Sequence, residues 1–281
     1  MAAVLELTTY PIKGCAGTPL TETLLTEAGL AHDRTFMVVD EGGGFRSQRT
    51  DPRLAVVRPE VDADGTRLLL RAPGVDELRL DVDLLAARRE VELFGRPYRG
   101  IDQGAEAAAW FSEVLGAASR LVRVPPEQER VTDGWIPGRC GYADSGATLV
   151  VCPASLAEFN RRVTERGGVA LPMDRFRPNI VVGGEGWDEP HTEDRARRFT
   201  VGNAELGYAK LATRCVVTTV DQDQGVKSGP EPLRTLATYR RRAKGGVAFG
   251  AKFSVVRAGK LAVGDAVTVS EWGESELRRV A

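Results

Sequence analysis

Apolar residues in this chain recur mostly at every second position, in short runs, and only rarely at helical spacing. Residues 4–12 read as a strand. Residues 35–40 and 45–49 flank Glu41-Gly42-Gly43-Gly44, and residues 54–61 and 66–71 surround Asp62-Ala63-Asp64-Gly65. Residues 91–94 and 98–101 bracket Gly95-Arg96-Pro97. Each of these is a hairpin signal. So many short strands at regular spacing predict an antiparallel barrel or sandwich rather than a doubly wound sheet.

Helical spacing stands out in two places. Ala107, Trp110, Phe111, Val114 and Leu115 share one face, and Gly116 stops the run. Ser155 with Glu158 reads as a capping box opening a second helix, with Leu156, Phe159 and Val163 inward. A third, shorter helix is expected over residues 233–239. Between the first two, residues 125–146 hold prolines and glycines among charges with no period, which predicts a long loop of the functional kind. The β pattern resumes at residues 147–152, 179–182, 205–211, 216–220, 248–256 and 266–270. The expected fold class is mainly β with some α (α+β): two β-barrel-like lobes with a few packed helices, spanning residues 1–124 and 125–281.

Composition narrows the function. With 42% hydrophobic and 27% charged residues the chain is an ordinary globular one. A net charge of −1 gives no overall field for nucleic acid or an anionic membrane. The basic side chains are 32 Arg and 6 Lys, and Arg is the rigid fork that suits phosphate. No apolar run approaches the roughly 18–20 residues of a membrane span, and residues 1–6 lack a leader pattern, so a cytoplasmic location is expected. Cys15, Cys140, Cys152 and Cys215 form no CxxC pair and no zinc-like set with His32 or His191. Each is therefore a small buried residue or a single soft ligand.

Two tempting motifs fail. Gly245 to Lys252 approaches a phosphate loop, but Gly250-Ala251-Lys252-Phe253 misplaces the lysine and lacks the hydroxyl. Neither histidine sits near a Ser or Cys in an elbow-like setting, which argues against a hydrolase triad. His32 reads as a turn residue and His191 as part of an exposed loop.

Four segments carry more. They are Tyr10-Pro11-Ile12-Lys13-Gly14-Cys15, residues 33–40 (DRTFMVVD), residues 176–182 (FRPNIVV) and residues 213–221 (TRCVVTTVD), and a fifth runs from Phe249 to Asp265. In this order the chain resembles the MOSC family, named for the C-terminal domain of molybdenum-cofactor sulfurase. It lies nearest the branch that contains the mitochondrial amidoxime-reducing component, with that branch's N-terminal MOSC-associated β-barrel domain.

The resemblance implies a molybdenum pyranopterin cofactor with Cys215 as the protein's metal ligand and catalytic residue. It implies Lys13, Gly14, Arg34, Asp144, Ser145, Arg177, Asn179, Thr213 and Arg214 as cofactor contacts, and Cys15 as structural. The chemistry agrees: a phosphate calls for Arg, Lys and backbone amides, and a sulfur-bound molybdenum accepts a thiolate. The implied activity is reduction of N-hydroxylated or other oxygen-bearing small molecules. No Gly-x-Gly-x-x-Gly or cysteine cluster is encoded, so electrons are expected from a separate ferredoxin- or flavoprotein-like donor. The rival expectations are a non-redox cofactor carrier or sulfur-handling protein with Cys215 as sulfur acceptor, and a cofactor-free scaffold. Asp221 reads as a turn cap.

Overall fold

The computed structural model describes residues 1–243 and 245–277. It is mainly β, with three α-helices among the described residues. The largest sheet has eight strands in the order Val267–Trp272, Ala196–Val201, Ala204–Arg214, Val247–Arg257, Thr148–Val151, Ile180–Gly183, Ala3–Thr9, Thr18–Leu20. All neighbours are antiparallel except Thr148–Val151 beside Ile180–Gly183. A five-stranded sheet runs Arg88–Leu93, Arg96–Asp102, Arg120–Arg123, Phe36–Val39, Ile12–Lys13.

No sheet among the described residues closes into a barrel by strand pairing. The nearest approach is a single antiparallel bridge between Ala3 and Ala266. It is flanked by the hydrogen bonds Val4 N–H to Asp265 O and Val267 N–H to Ala2 O, both 2.9 Å. The mainly β, α+β class is as expected, and the eight-stranded sheet curls until two of its strands meet at this one point without closing.

Each helix covers one face of a sheet. α1 (Gly104–Leu115) buries Ala107, Trp110, Phe111 and Val114 against Ile12, Phe36, Val38 and Leu121 of the five-stranded sheet. Gly116, at φ +67°, caps it in the left-handed conformation that glycine adopts without strain. α2 (Pro153–Glu165) and α3 (Leu233–Tyr239) cover Leu149, Val151, Ala212, Val247 and Phe249. No helix among the described residues is long and apolar enough to cross a membrane.

Three local expectations are overturned. α2 opens at Pro153 with Cys152 as its N-cap residue, so Ser155 lies inside the helix and makes no capping box. Its hydroxyl instead donates to the buried Glu193 carboxylate at 2.8 Å. Of residues 216–220, Val216–Thr219 form a 3₁₀ turn rather than a strand, and only Val220 enters a two-residue strand with Asp221. The Thr218 and Thr219 hydroxyls donate back to Cys215 O and Val216 O at 2.8 Å, a local bond that competes with a sheet ladder. His191, read as exposed, is held at φ +66° with both ring nitrogens buried and unpartnered among the described residues. Desolvation pushes its pKa down to about 3, so the ring is neutral.

Candidate functional site

A cleft of about 250 Å³ opens where the two main sheets meet. The Ala204–Arg214 strand supplies one wall. Its eleven residues are long enough to run past the core, so Thr213 and Arg214 reach the cleft where the strand ends. There the chain turns sharply into the 3₁₀ segment, and Cys215 sits at the turn, partly exposed to the cleft. It is the one thiol lining the cleft among the described residues.

Opposite it, two sequence-distant groups meet. Lys13 ends the short Ile12–Lys13 strand, and its ammonium is ion-paired with Asp144 in the loop before Thr148. Burial pulls the Lys13 pKa down and Asp144 resists that fall. Burial raises the Asp144 carboxyl, but Lys13, together with Lys252 and Arg34, holds it well below the usual carboxylate range. The loop carrying Asp144 is fixed by Arg130, whose guanidinium donates to Gly141 O at 2.8 Å and Asp144 O at 3.1 Å. Charge-assisted bonds of this kind are worth about 1.5–3 kcal/mol each, so the long loop is braced.

Behind this pair lies a shared aromatic. The guanidinium carbons of Arg34 and Arg177 stand 4.2 and 4.3 Å from the Tyr10 ring centroid. Arg34 donates to both Asp33 oxygens, at 2.7 and 2.6 Å, and to Asn179 Oδ1 at 3.0 Å. Arg177 donates to Cys15 O at 2.6 Å and Gln222 Oε1 at 3.2 Å. Both arginines adopt positive φ, +48° and +55°, a strained state for a residue with a Cβ. Such strain persists only where surrounding contacts over-determine it, and here the Tyr10 and Asp33 contacts supply that constraint.

Nine of the ten residues expected from the resemblance line this one cleft: Lys13, Gly14, Arg34, Asp144, Ser145, Arg177, Thr213, Arg214 and Cys215. Asn179 does not. Its amide accepts from Leu149 N–H at 3.1 Å and Arg34, and donates to Thr8 O at 3.1 Å and Asp33 at 2.9 Å. With those contacts made inside the protein, it positions Arg34 rather than facing the cleft. Gly14 takes φ +85°, and its carbonyl accepts from Gln48 at 2.6 Å. Cys15 is buried and its thiol is pushed up to about 12, as befits a structural cysteine. Asp221 accepts from the N–H groups of Asp223 and Gln224, both at 3.0 Å, and so caps a turn.

Several lining residues escape the sequence reading. Phe45 and Phe94 form an edge-to-face pair at the mouth, with centroids 4.9 Å apart. Phe94 and Gly95, at φ +55° and +73°, are the centre of a two-residue hairpin turn between Arg88–Leu93 and Arg96–Asp102. That turn normally favours Asn-Gly, so a Phe there is the signal in the sequence. Lys210, Arg242 and Lys252 complete the basic wall. Lys252 is the one charged residue in the stretch 247–255, and that interruption is its signal in the sequence.

In total eight basic side chains and one carboxylate line the cleft. Arg214 donates to Phe176 O at 2.8 Å, while its buried Nε has no acceptor among the described residues. A soft thiol at a strand end, a surplus of cations and an unsatisfied guanidinium N–H describe a pocket for an anionic ligand that also accepts a sulfur donor.

Comparison with known proteins agrees on the family. The chain matches the model described as MOSC N-terminal beta barrel domain over residues 1–118, and the model described as MOSC domain over residues 137–268. Mitochondrial amidoxime reducing component 2 of Bos taurus is 34% identical over 287 residues, covering 95% of this chain and 83% of that protein. Mitochondrial amidoxime-reducing component 1 of Homo sapiens is 31% identical, covering 95% of this chain and 82% of its own. Molybdenum cofactor sulfurase of Oryza sativa is 31% identical over 259 residues, covering 86% of this chain but 31% of that larger protein.

Proposed function

The chain belongs to the MOSC family, and from that membership and its cation-lined cleft we propose that it holds a molybdenum pterin and reduces N-oxygenated small molecules. Cys215 would be the protein's ligand to the metal, and Lys13, Arg34, Arg177 and Arg214 would neutralise and orient the anionic parts of the group, with Gly14, Ser145 and Thr213 at its edges. The observation that carries this reading is that one cleft is lined both by the partly exposed thiol of Cys215 and by a surplus of cations, Lys13, Arg34, Arg177 and Arg214 among them. When bound, such a group supplies two-electron oxygen-atom chemistry. For a hydroxylamine-type substrate the balance is R–NHOH + 2 H⁺ + 2 e⁻ → R–NH₂ + H₂O. The electrons come singly from a separate donor protein of the ferredoxin or flavoprotein kind.

The protein's own part is positional and electrostatic. The Lys13–Asp144 pair ties the long loop to the Ile12–Lys13 strand within the cleft lining. Tyr10, with its pKa raised to about 12 by burial, stays neutral beneath Arg34 and Arg177. Desolvation lowers Arg214 to about 10, which still leaves it charged at neutral pH beside Cys215. A cation next to a thiol favours the thiolate that a soft metal needs.

Metal analysis of the purified protein, together with an assay using a reduced viologen dye and an N-hydroxylated test compound, examines this reading. Molybdenum near one equivalent, product with reduced dye and none with NADH alone is the expected pattern. Robust NADH oxidation by the protein alone contradicts it. Bound molybdenum with no turnover under either condition favours the second reading, a carrier or sulfur-handling protein, which the partial exposure of Cys215 also suits.

A further inference from the structure

The turn that presents Cys215 has a second side. Cys215, Val217 and Thr218 line the cleft, whereas Val216 and Thr219 line a shallow depression on the outer surface. The Val216–Thr219 turn is therefore the partition between the two, one turn of backbone thick. Val216, the residue after the thiol, is 46% exposed, and Pro230 and Leu233 extend the apolar floor around it. That floor is fixed to the turn. Ser228 N–H donates to Thr219 O at 2.9 Å, and α3, which carries Leu233, packs against the same turn.

Charge sets this surface apart. The chain has a net charge of −1, yet residues 226–246 hold six basic residues and one acidic residue. Lys227 and Arg234 stand at the rim of the depression. Arg241 is exposed and bridges Val247, which pairs with Arg214, so its backbone lies two strand spacings, about 10 Å, from that of Arg214. The acidic residue, Glu231, is largely covered and is tied to Arg234 at 2.8 Å. The other pairs in this segment are Arg240 with Asp194 and Arg242 with Glu276, which leaves Lys227 and Arg241 without a carboxylate among the described residues. An apolar centre with a basic rim fits an acidic protein surface: the centre supplies contact and the rim steers the encounter.

We propose that the Val216–Pro230–Leu233 face, rimmed by Lys227 and Arg234, docks an acidic one-electron carrier protein of the ferredoxin class. The inference rests on the reading of Cys215 as the metal's ligand, and it adds the surface that the electron donor uses. A partner seated on Val216 is one peptide link from that ligand, while the cleft on the other side of the turn stays open to substrate. Two reduced carriers dock in succession and each gives up one electron. The two electrons with two protons break the N–O bond of the substrate and leave the amine and water. Encounters between redox proteins bury little surface, under about 1,200 Å², so the complex is short-lived and its rate of formation falls with salt.

The test mixes the molybdenum-loaded full chain and excess N-hydroxylated compound with a pre-reduced acidic [2Fe–2S] ferredoxin, and follows ferredoxin oxidation by stopped flow. The second-order rate should fall severalfold between about 20 and about 200 mM salt. The Lys227→Glu, Arg234→Gln double variant should lower it about tenfold at the lower salt. Pro230→Glu, which puts a carboxylate in the apolar centre, should do the same. Turnover driven by the viologen dye, molybdenum content and melting temperature should stay at wild-type values in both variants. Arg67→Glu, on the separate three-stranded sheet, is the control for net charge and should leave the ferredoxin rate unchanged. Unchanged rates in the docking variants, or an equal loss in the control, overturn the proposal, as does a wild type that accepts electrons from the dye and none from ferredoxin. Sedimentation with phosphatidylserine vesicles that is lost in Lys227→Glu, with the ferredoxin rate unchanged, overturns it in favour of a membrane surface. Absence of dye-driven turnover in the wild type contradicts the functional reading instead. The docking face is then read from NMR line broadening of the ferredoxin on adding the chain: loss of broadening in the double variant supports it, and equal broadening overturns it.

Discussion

Lys13 and Asp144, 131 residues apart in the chain, are joined by an ion pair in the lining of the cleft. Lys13 is buried, whereas the Asp144 side chain is 57% exposed to the cleft. The lysine therefore depends on the pair more than the aspartate does. Asp144→Asn leaves a buried ammonium with a weaker acceptor, and should cost about 1–3 kcal/mol in unfolding free energy. The Lys13→Met, Asp144→Asn double variant should recover part of that loss. Urea melts of the four proteins check it, and additive costs would show that the two side chains do not interact.

Cys215→Ser should leave the fold unchanged, because the Cys215 carbonyl, and not its thiol, anchors the turn to Thr218. Molybdenum content per chain and dye-driven turnover should both collapse, since a hydroxyl is a poor ligand for a soft metal. A variant with wild-type molybdenum and full turnover removes Cys215 from the metal's coordination.

Arg177→Lys keeps the charge but not the fork that reaches Cys15 O and Gln222 together. Loss of one charge-assisted bond in a buried setting should lower stability by about 1.5–3 kcal/mol and reduce cofactor occupancy in parallel. Thermal melts and molybdenum content measured on the same preparations check this. Wild-type stability with reduced occupancy would make Arg177 a pure ligand contact.

Phe94 sits at φ +55° in a hairpin turn where Asn is at ease. In Phe94→Asn, relief of about 1 kcal/mol of backbone strain offsets the lost contact with Phe45, worth about 0.5–1.5 kcal/mol. Stability should therefore change little, while KM for a bulky N-hydroxylated substrate should rise severalfold. A large fall in melting temperature would show that the pair serves folding instead.

The buried pair Glu193–Asp194 gives the protein a pH response far from the cleft. Burial and the neighbouring Asp194 push the Glu193 carboxyl up to about 7, against a usual 4.5. The folded state then holds a proton that the unfolded chain releases between about pH 4.5 and 7. This contribution to stability is complete below 4.5 and is lost as pH rises through 7. Glu193→Gln should flatten the decline in denaturant midpoint over that interval. An unchanged slope would place the titration elsewhere.

What the sequence discloses here follows from the range of the interactions. α1 was legible because its boundaries depend on local spacing and a glycine cap. The nine cleft residues were legible as a set through ordered motifs, although no local feature says that Lys13 and Asp144 touch. The turn after Cys215 was hidden because Val216-Val217 reads as strand, while the Thr218 and Thr219 hydroxyls decide otherwise. Lys252 was passed over because its segment was tested as a phosphate loop and failed. The cations that share its cleft, Lys13, Arg34, Lys210 and Arg214, come from three other elements, which no reading of residues 245–252 alone contains.

The Ala3–Thr9 strand is synthesised well before one of its two neighbours, for its place in the eight-stranded sheet is between Ile180–Gly183 and Thr18–Leu20. Its main partner is made some 170 residues later, and at about 5–20 residues per second that is a wait of roughly ten to thirty-five seconds. During this interval Val4 and Leu7, both buried in the finished protein, have no core to enter. The nascent chain thus carries an open sheet edge until Ile180–Gly183 emerges, a natural point of engagement for cellular folding assistance. For the same reason, a fragment starting after the long loop would lack the strand that belongs beside Ile180–Gly183.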